Sequence, residues 1–225
     1  VRVSVVIPAL NEEESIGRVL ADLPHERITE VLVVDNGSSD ATADRAGAAG
    51  ARVISEMRRG YGSACLAGIA AADRPDTFLF LDADYSDDPR EAGLLLDRIE
   101  DGCDLVIGSR ALGEREAGAL LPQARFGNWL AVSLIRLRFG HRFTDLGPFR
   151  AIRAEALSRL RMADRDFGWT IEMQIKAVTE GLRIAEVPVG YRCRIGRSKI
   201  SGTIGGSFRA GVKILYTFWR YALRR

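Results

Sequence analysis

The chain has 225 residues, 47% of them apolar and 28% charged, with a net charge of +2 from 32 basic and 30 acidic side chains. That composition supports a folded core and excludes a disordered, collagen-like or disulfide-stapled chain. The near balance of charge gives no ground for a nucleic-acid partner, and three scattered cysteines (Cys65, Cys103, Cys193) with two histidines (His25, His141) argue against a zinc site and point to a reducing, cytoplasmic setting.

Short apolar runs at Val3–Ile7, Val31–Asp35, Arg52–Ile54, Phe78–Asp82 and Leu105–Gly108 read as strands buried on both faces. Helical stretches separate them at Glu12–Leu23, Asp40–Ala49, Gly62–Ala72 and Pro89–Glu100. This alternation predicts an α/β domain with a mostly parallel central sheet flanked by helices. Ala111–Ala119 reads as a mobile loop. After it come a helix at Gln123–Phe139, a strand at Pro148–Ile152, helices at Ala154–Leu160 and Trp169–Glu180, and a strand at Arg183–Tyr191. Gly181 is placed to end its helix. Ile195–Gly206 is a Gly/Ser-rich loop, and a final amphipathic helix is expected at Ser207–Leu223. The first residues read as a strand rather than a signal peptide. The longest uncharged stretch, Gly60–Ala72, has 13 residues and is too short to span a bilayer.

Open parallel sheets bind ligands beyond the carboxyl ends of their strands. Those ends are rich in polar and Gly residues here. Asp82-Ala83-Asp84 sets two carboxylates one residue apart after an apolar strand, where both can approach one divalent cation. Hard oxygen ligands of this kind suit Mg²⁺ or Mn²⁺ on a phosphate; a solvated turn is the plainer reading of the same three residues. Asp35 closes an apolar strand and can accept from a base N–H or a ribose hydroxyl, while Ser39 or Asp40 caps the next helix. Gly60-Tyr61-Gly62 is not a dinucleotide fingerprint, and no Walker loop is present.

Together these residues resemble the family 2 glycosyltransferases of the GT-A fold. The resemblance rests on Val5–Glu12, Val33–Asp40, Asp82-Ala83-Asp84 and Gly108-Ser109-Arg110, and it runs from Val3 to about Thr203. Thr144–Ala151, Phe167–Gln174, Glu186–Val189 and Gly196–Ile200 are similar to the polyprenyl-phosphate sugar synthase branch, typified by dolichyl-phosphate mannose synthase. The resemblance implies a Rossmann-like GT-A domain at 1–203, with a nucleotide-sugar lobe at 1–110 and an acceptor lobe at 111–203, followed by the helix at 204–225. It implies that Pro8, Ala9, Glu12, Asp35 and Gly37 hold the nucleoside of a UDP- or GDP-sugar. Asp82 and Asp84 would hold the metal. Arg110, Arg125, Arg194 or Arg197, and Lys199 would surround donor and acceptor phosphates. Ser86 stands where the branch has Gln, and Pro148 where it has Gly, so the third metal contact is left open.

The implied reaction is metal-dependent transfer of one hexose with inversion, most readily to a polyprenyl or dolichyl phosphate. A phosphate acceptor is already anionic and needs cations; a hydroxyl acceptor needs a base, for which Asp145 is the candidate, its plainer role being a turn residue or an Arg partner. Trp169 and Glu172 read either as crevice residues or as packing. A nucleotidyltransferase and a non-catalytic sugar-nucleotide module are the readings from other classes; Pro8–Glu12 in place of a basic Gly-rich loop counts against the former. In the last helix, Phe208, Val212, Leu215, Trp219 and Ala222 form an apolar stripe beside Arg209, Lys213, Arg220 and Arg224. That stripe suits peripheral contact with the inner face of a cytoplasmic membrane, or equally a cover for the sheet or a homodimer face.

Overall fold

The computed structural model describes residues 1–196 and 204–223, the side chains of 204–210 excepted. The five N-terminal runs form β1 (Val3–Ala9), β2 (Glu30–Asp35), β3 (Arg52–Ser55), β4 (Thr77–Phe80) and β5 (Leu105–Ser109). With β6 (Arg150–Arg153) and β7 (Ile184–Pro188) they make one seven-stranded sheet in the order β3-β2-β1-β4-β6-β5-β7. All pairings are parallel except those of β6, which runs antiparallel to β4 and β5.

Continuous apolar strands need cover on both faces, and successive residues go to opposite ones. Val5, Ile7, Val33, Leu79 and Val106 pack beneath α1 (Ile16–Ala21), α2 (Thr42–Ala48) and α4 (Ala92–Glu100). Val6, Leu32, Val34, Phe80 and Ile107 pack beneath α3 (Tyr61–Ala71), α5 (Pro122–Phe139), α6 (Ala154–Leu160), α7 (Trp169–Thr179) and α8 (Ile204–Ala222). The small residues of α3 let it lie close to the sheet: a Cβ on Gly68 would stand 2.4 Å from Val6 Cγ1 and 3.1 Å from Val34 Cγ2. Gly68→Ala is therefore expected to destabilise the fold by about 1–3 kcal/mol through overpacking, read as a lower urea midpoint at unchanged slope.

Several elements differ from expectation, among them the strands expected at Phe78–Asp82 and Arg183–Tyr191, which end at Phe80 and Pro188. The first helix begins at Ile16, four residues late, because Glu12–Ser15 forms a turn and the Glu12 N–H donates to Thr42 Oγ1 at 2.8 Å. The loop at Ala111–Ala119 is tied down by backbone bonds: Glu116 N donates to Tyr191 O and Tyr191 N to Glu114 O, both 2.9 Å. The last helix starts at Ile204, ahead of the expected Ser207. Gly181, at φ 65°, ends α7 as read from the sequence.

The chain winds outward from β1 through β2 to β3, then returns to place β4 on the other side of β1. The reversal lies between β1 and β4. A crevice opens beyond the carboxyl ends of strands at such a point.

Candidate active site

A cavity of about 400 Å³ occupies that crevice, in the size range of small-molecule sites. Pro8, Ala9 and Glu12 line it from β1 and the following turn, and Asp82 and Asp84 from the segment after β4. Tyr85, at φ 64°, is one of the few non-glycine residues in the left-handed region and reverses the chain directly after the acidic pair. A larger groove of about 770 Å³ lies elsewhere, between α6, α7 and α8; its lining includes Arg159, Arg161 and Lys176 but no paired carboxylates, and it is not where this chemistry is offered.

The acidic pair is unevenly satisfied. Asp84 Oδ1 accepts from Ser86 N at 3.0 Å and Ser86 Oγ at 2.6 Å, so Ser86 fixes the Asp84 carboxylate. Asp82 Oδ1 is buried with no hydrogen-bond partner. Burial first, and the Asp84 charge next, push the Asp82 carboxyl up to about 7. Asp87, also buried, leaves both carboxylate oxygens without a partner, and burial together with the Asp82 charge pushes it well up as well.

An orphaned carboxylate oxygen beside an anchored one fits a divalent cation. The described residues hold no cluster of three or more His, Cys, Asp or Glu placed to cage a metal alone. Mg²⁺ is commonly held by only one or two carboxylates that share the ion with substrate phosphates. A carboxyl raised from 3.8 contributes stability that is complete below about 3.8 and lost as pH rises through about 7. Without divalent cation, Asp82→Asn is therefore expected to flatten the decline of Tm between pH 4 and 7 relative to the parent protein. Added Mn²⁺ should raise the parent's Tm more at pH 8 than at pH 5.5.

Arg194 bridges the crevice. Its Nη2 lies 2.7 Å from Glu12 Oε1 and its Nη1 3.1 Å from Asp84 Oδ2, while Ile195 N donates to Asp84 O at 3.0 Å. One cation thus spans the cavity from the turn after β1 to the acidic pair after β4. Asp35 and Gly37 are not among the described residues that line it. Asp35 Oδ1 accepts from Ser38 N at 3.0 Å, and Gly37, at φ 81°, faces the Arg59 guanidinium. Asn36 lines the wall instead and pins the next loop: its Nδ2 donates to Glu56 O and Arg58 O, and its Oδ1 accepts from Gly60 N, each at 2.8 Å. Arg59, Tyr61 and Phe167 are further wall residues that the strand-end search passes over. The signal for the first two was the Gly60-Tyr61-Gly62 turn, where a Cβ on Gly60 would meet Arg165 O at 2.1 Å.

The second half assembles beside this cavity. Arg110 N and Nε donate to Asp145 Oδ2 at 2.8 and 2.7 Å, and Arg110 Nη2 donates to Oδ1 at 2.7 Å. The Thr144–Gly147 turn is held from three elements: Glu186 on β7 accepts from Thr144 N and Asp145 N, Gln174 on α7 donates to Asp145 O, and Asn128 on α5 accepts from Leu146 N. Arg110 and Asp145 are therefore a mutually satisfied pair, which is the plainer of the two roles read for Asp145. Arg125 is exposed on α5. Arg197 and Lys199 lie outside the described residues.

Trp169 and Glu172 resolve as structure. Trp169 is buried edge-on against Phe80 at 6.2 Å. Glu172, fully buried, accepts from Asp164 N at 2.6 Å and Tyr221 OH at 2.5 Å and pairs with Lys176 Nζ at 2.6 Å.

Comparison with known proteins agrees with this geometry. The sequence profile described as "Glycosyl transferase family 2" matches residues 4–161. The chain is 41% identical over 222 residues to an uncharacterized glycosyltransferase of Mycobacterium tuberculosis, covering 97% of this chain and 96% of that one. It is 37% identical over 209 residues to a dolichyl-phosphate hexose transferase of Haloferax volcanii, covering 91% and 89%. Among solved structures it is similar to glucosyl-3-phosphoglycerate synthase from Mycobacterium tuberculosis in complex with Mn²⁺, UDP and glucosyl-3-phosphoglycerate, with TM-score 0.79, 27% identity, and coverage of 98% of this chain and 80% of that one.

Proposed function

Because the chain belongs to glycosyl transferase family 2 and is a glycosyltransferase, we propose that it moves one hexose from a UDP- or GDP-linked donor to a polyprenyl phosphate, with inversion at the anomeric carbon. The carrying observation is the Asp82–Asp84 pair in the switch-point cavity, one carboxylate oxygen anchored by Ser86 and another buried without a partner.

Pro8, Ala9 and Glu12 would hold the nucleoside, with Asp35 and Gly37 at the end of the neighbouring strand. Asp82 and Asp84 would hold Mg²⁺ or Mn²⁺. Such an ion, when bound, neutralises the charge that grows on the departing nucleoside diphosphate. Arg194 spans from Glu12 to Asp84 and is placed to turn its guanidinium onto the diphosphate, a bidentate match for phosphate oxygens. Arg110 is kept charged and oriented by Asp145 at the end of β5. Arg125, Arg197 and Lys199 complete the cationic set for the acceptor. The residues at 1–110 would form the donor lobe and those at 111–203 the acceptor lobe.

A phosphate acceptor suits the pairing of Asp145. The residue that a hydroxyl acceptor would need as base has both oxygens engaged by Arg110. The relative from Haloferax volcanii is named for a dolichyl-phosphate acceptor, which supports the same choice. A second reading, transfer to a hydroxyl of a phosphorylated small acid, is favoured by the likeness to glucosyl-3-phosphoglycerate synthase. No helix among the described residues is long and apolar enough to cross a membrane. In the lipid reading the protein meets its acceptor from the cytoplasmic side, as a peripheral protein.

Labelled UDP-glucose and GDP-mannose, each with Mn²⁺, test both readings. Label that passes into organic solvent only when polyprenyl phosphate is present supports the first. Label retained in water on phosphoglycerate supports the second. Absence of transfer and of donor hydrolysis with either sugar nucleotide sinks both.

A further inference from the structure

Helix α8 is apolar on two opposite sides. On the inner side Thr217, Phe218 and Ala222 are buried, and Phe218 meets Phe139 of α5 edge-on at 6.2 Å. Arg138 Nε donates to Ala222 O at 3.0 Å. Two buried carboxylates lock the rotation of the helix: Asp164 pairs with Lys213 Nζ at 3.0 Å, and Glu172 accepts from Tyr221 OH at 2.5 Å. The outer side is thereby fixed. It presents Val212, Tyr216, Trp219 and Leu223, spaced to form one row, and all four are more than half exposed. A surface helix normally turns charged and polar residues outward. The stripe read from the sequence is thus split, with Ala222 inside and Val212 and Trp219 outside.

Helix α5, packed against α8, has the same character. Phe126 and Trp129 are 62% and 59% exposed with ring centroids 5.8 Å apart, and Leu137 is exposed near the other end. Both helices cover the same core cluster, so both rows point away from it. Charge completes the pattern. None of the chain's 30 acidic residues lies between Pro122 and Thr144 or after Glu186, and the stretch after Glu186 carries nine Arg and Lys. Arg125, Arg136, Arg138 and Arg220, all exposed, flank the two rows.

We propose that this acid-free aromatic surface, built jointly by α5 and α8, seats the protein on an anionic lipid bilayer. Trp and Tyr favour the interfacial region, where one end of the ring is apolar and the other wet, and Lys and Arg are attracted to the negative surface potential of such a bilayer. A second copy of the chain is the weaker occupant. A two-fold interface would set these basic flanks against their own like charges. The purpose of the surface, delivery of the crevice to a lipid phosphate, rests on the proposed function, but its test does not.

Cosedimentation with phosphatidylcholine vesicles and with vesicles containing one quarter phosphatidylglycerol, without donor or acceptor, reads the surface alone. The parent protein is expected to partition onto the anionic vesicles, less so as salt rises. Trp129→Ser with Trp219→Ser should lower that partition about tenfold or more. Arg136→Gln with Arg220→Gln, which removes two exposed charges, should lower it on anionic vesicles only. Equal partition by the parent and both variants overturns the proposal. So does a concentration-dependent dimer, seen by sedimentation velocity, that the tryptophan variant abolishes. Titration of the same variants with Mn²⁺ and either UDP or GDP keeps the two proposals separate: vesicle binding with neither nucleotide bound removes the proposed donor site and leaves the surface, and the converse removes the surface alone.

Discussion

Alanine in place of Asp84 is expected to lower kcat for sugar transfer by about a thousandfold or more, with a melting temperature close to that of the parent protein. The size follows from where charge develops. When the anomeric bond breaks, the leaving diphosphate gains negative charge in a cavity partly closed to water, and stabilisation there is worth several kcal/mol. Ser86 Oγ, donating at 2.6 Å, fixes the Asp84 carboxylate in the position that the proposed role requires. The replacement also strands Arg194, which loses its 3.1 Å partner but retains Glu12 at 2.7 Å, so the fold loses little. Ser86→Ala should cost far less, because it frees the carboxylate without removing it. Steady-state kinetics with saturating Mn²⁺, beside thermal melts, check both. A loss of activity tracking a loss of fold would assign Asp84 to structure.

Asp145→Ala is expected to lower stability by about 3–5 kcal/mol, because it leaves the Arg110 guanidinium buried without its counter-ion. The Asp145 side chain is 2% exposed and that of Arg110 13%, so solvent screens the pair weakly. For a chain of this length that corresponds to a Tm lower by about 10 °C. If Asp145 instead served as the base for a hydroxyl acceptor, the variant would lose rate by about a hundredfold or more at little cost in stability, and the acidic limb of the pH–rate profile would go with it. Melting curves and pH profiles of one variant therefore separate a phosphate from a hydroxyl acceptor. A stable, slow Asp145→Ala enzyme would contradict the pairing described above.

The sheet was legible because a strand covered on both faces must be apolar throughout, and four such runs, with the half-exposed edge strand β3 among them, admit few arrangements when helical stretches separate them. The acidic pair was legible because its position after β4 put it at the switch point. Other features were not. A run of four residues such as Arg150–Arg153 has no polarity in its hydrophobic pattern, so the antiparallel course of β6 could not be read. Glu12 read as a helix start although the apolar row begins only at Ile16; the bond to Thr42 Oγ1, thirty residues on, holds Glu12 in a turn instead. The partners of Asp145 and Glu172 come from α7, α8, β7 and the segments after β5 and α6, and no local spacing encodes them. In α8 the alternation of large residues hid two apolar sides, since only the neighbours of a helix reveal which side is inward. Arg194 was one of several arginines near the carboxyl terminus, and only its bridge from Glu12 to Asp84 sets it apart.

The central claim is that Asp82 and Asp84 bind a divalent cation together with a nucleoside diphosphate. Titrating Mn²⁺ into the protein with and without UDP or GDP, and following the free ion by electron paramagnetic resonance, addresses it most directly. Weak Mn²⁺ binding by the protein alone is expected, strengthened at least tenfold by one of the two nucleotides, with that gain lost in Asp84→Ala. Nucleotide binding that is equally tight in EDTA, or Mn²⁺ binding unchanged in Asp84→Ala, would contradict it.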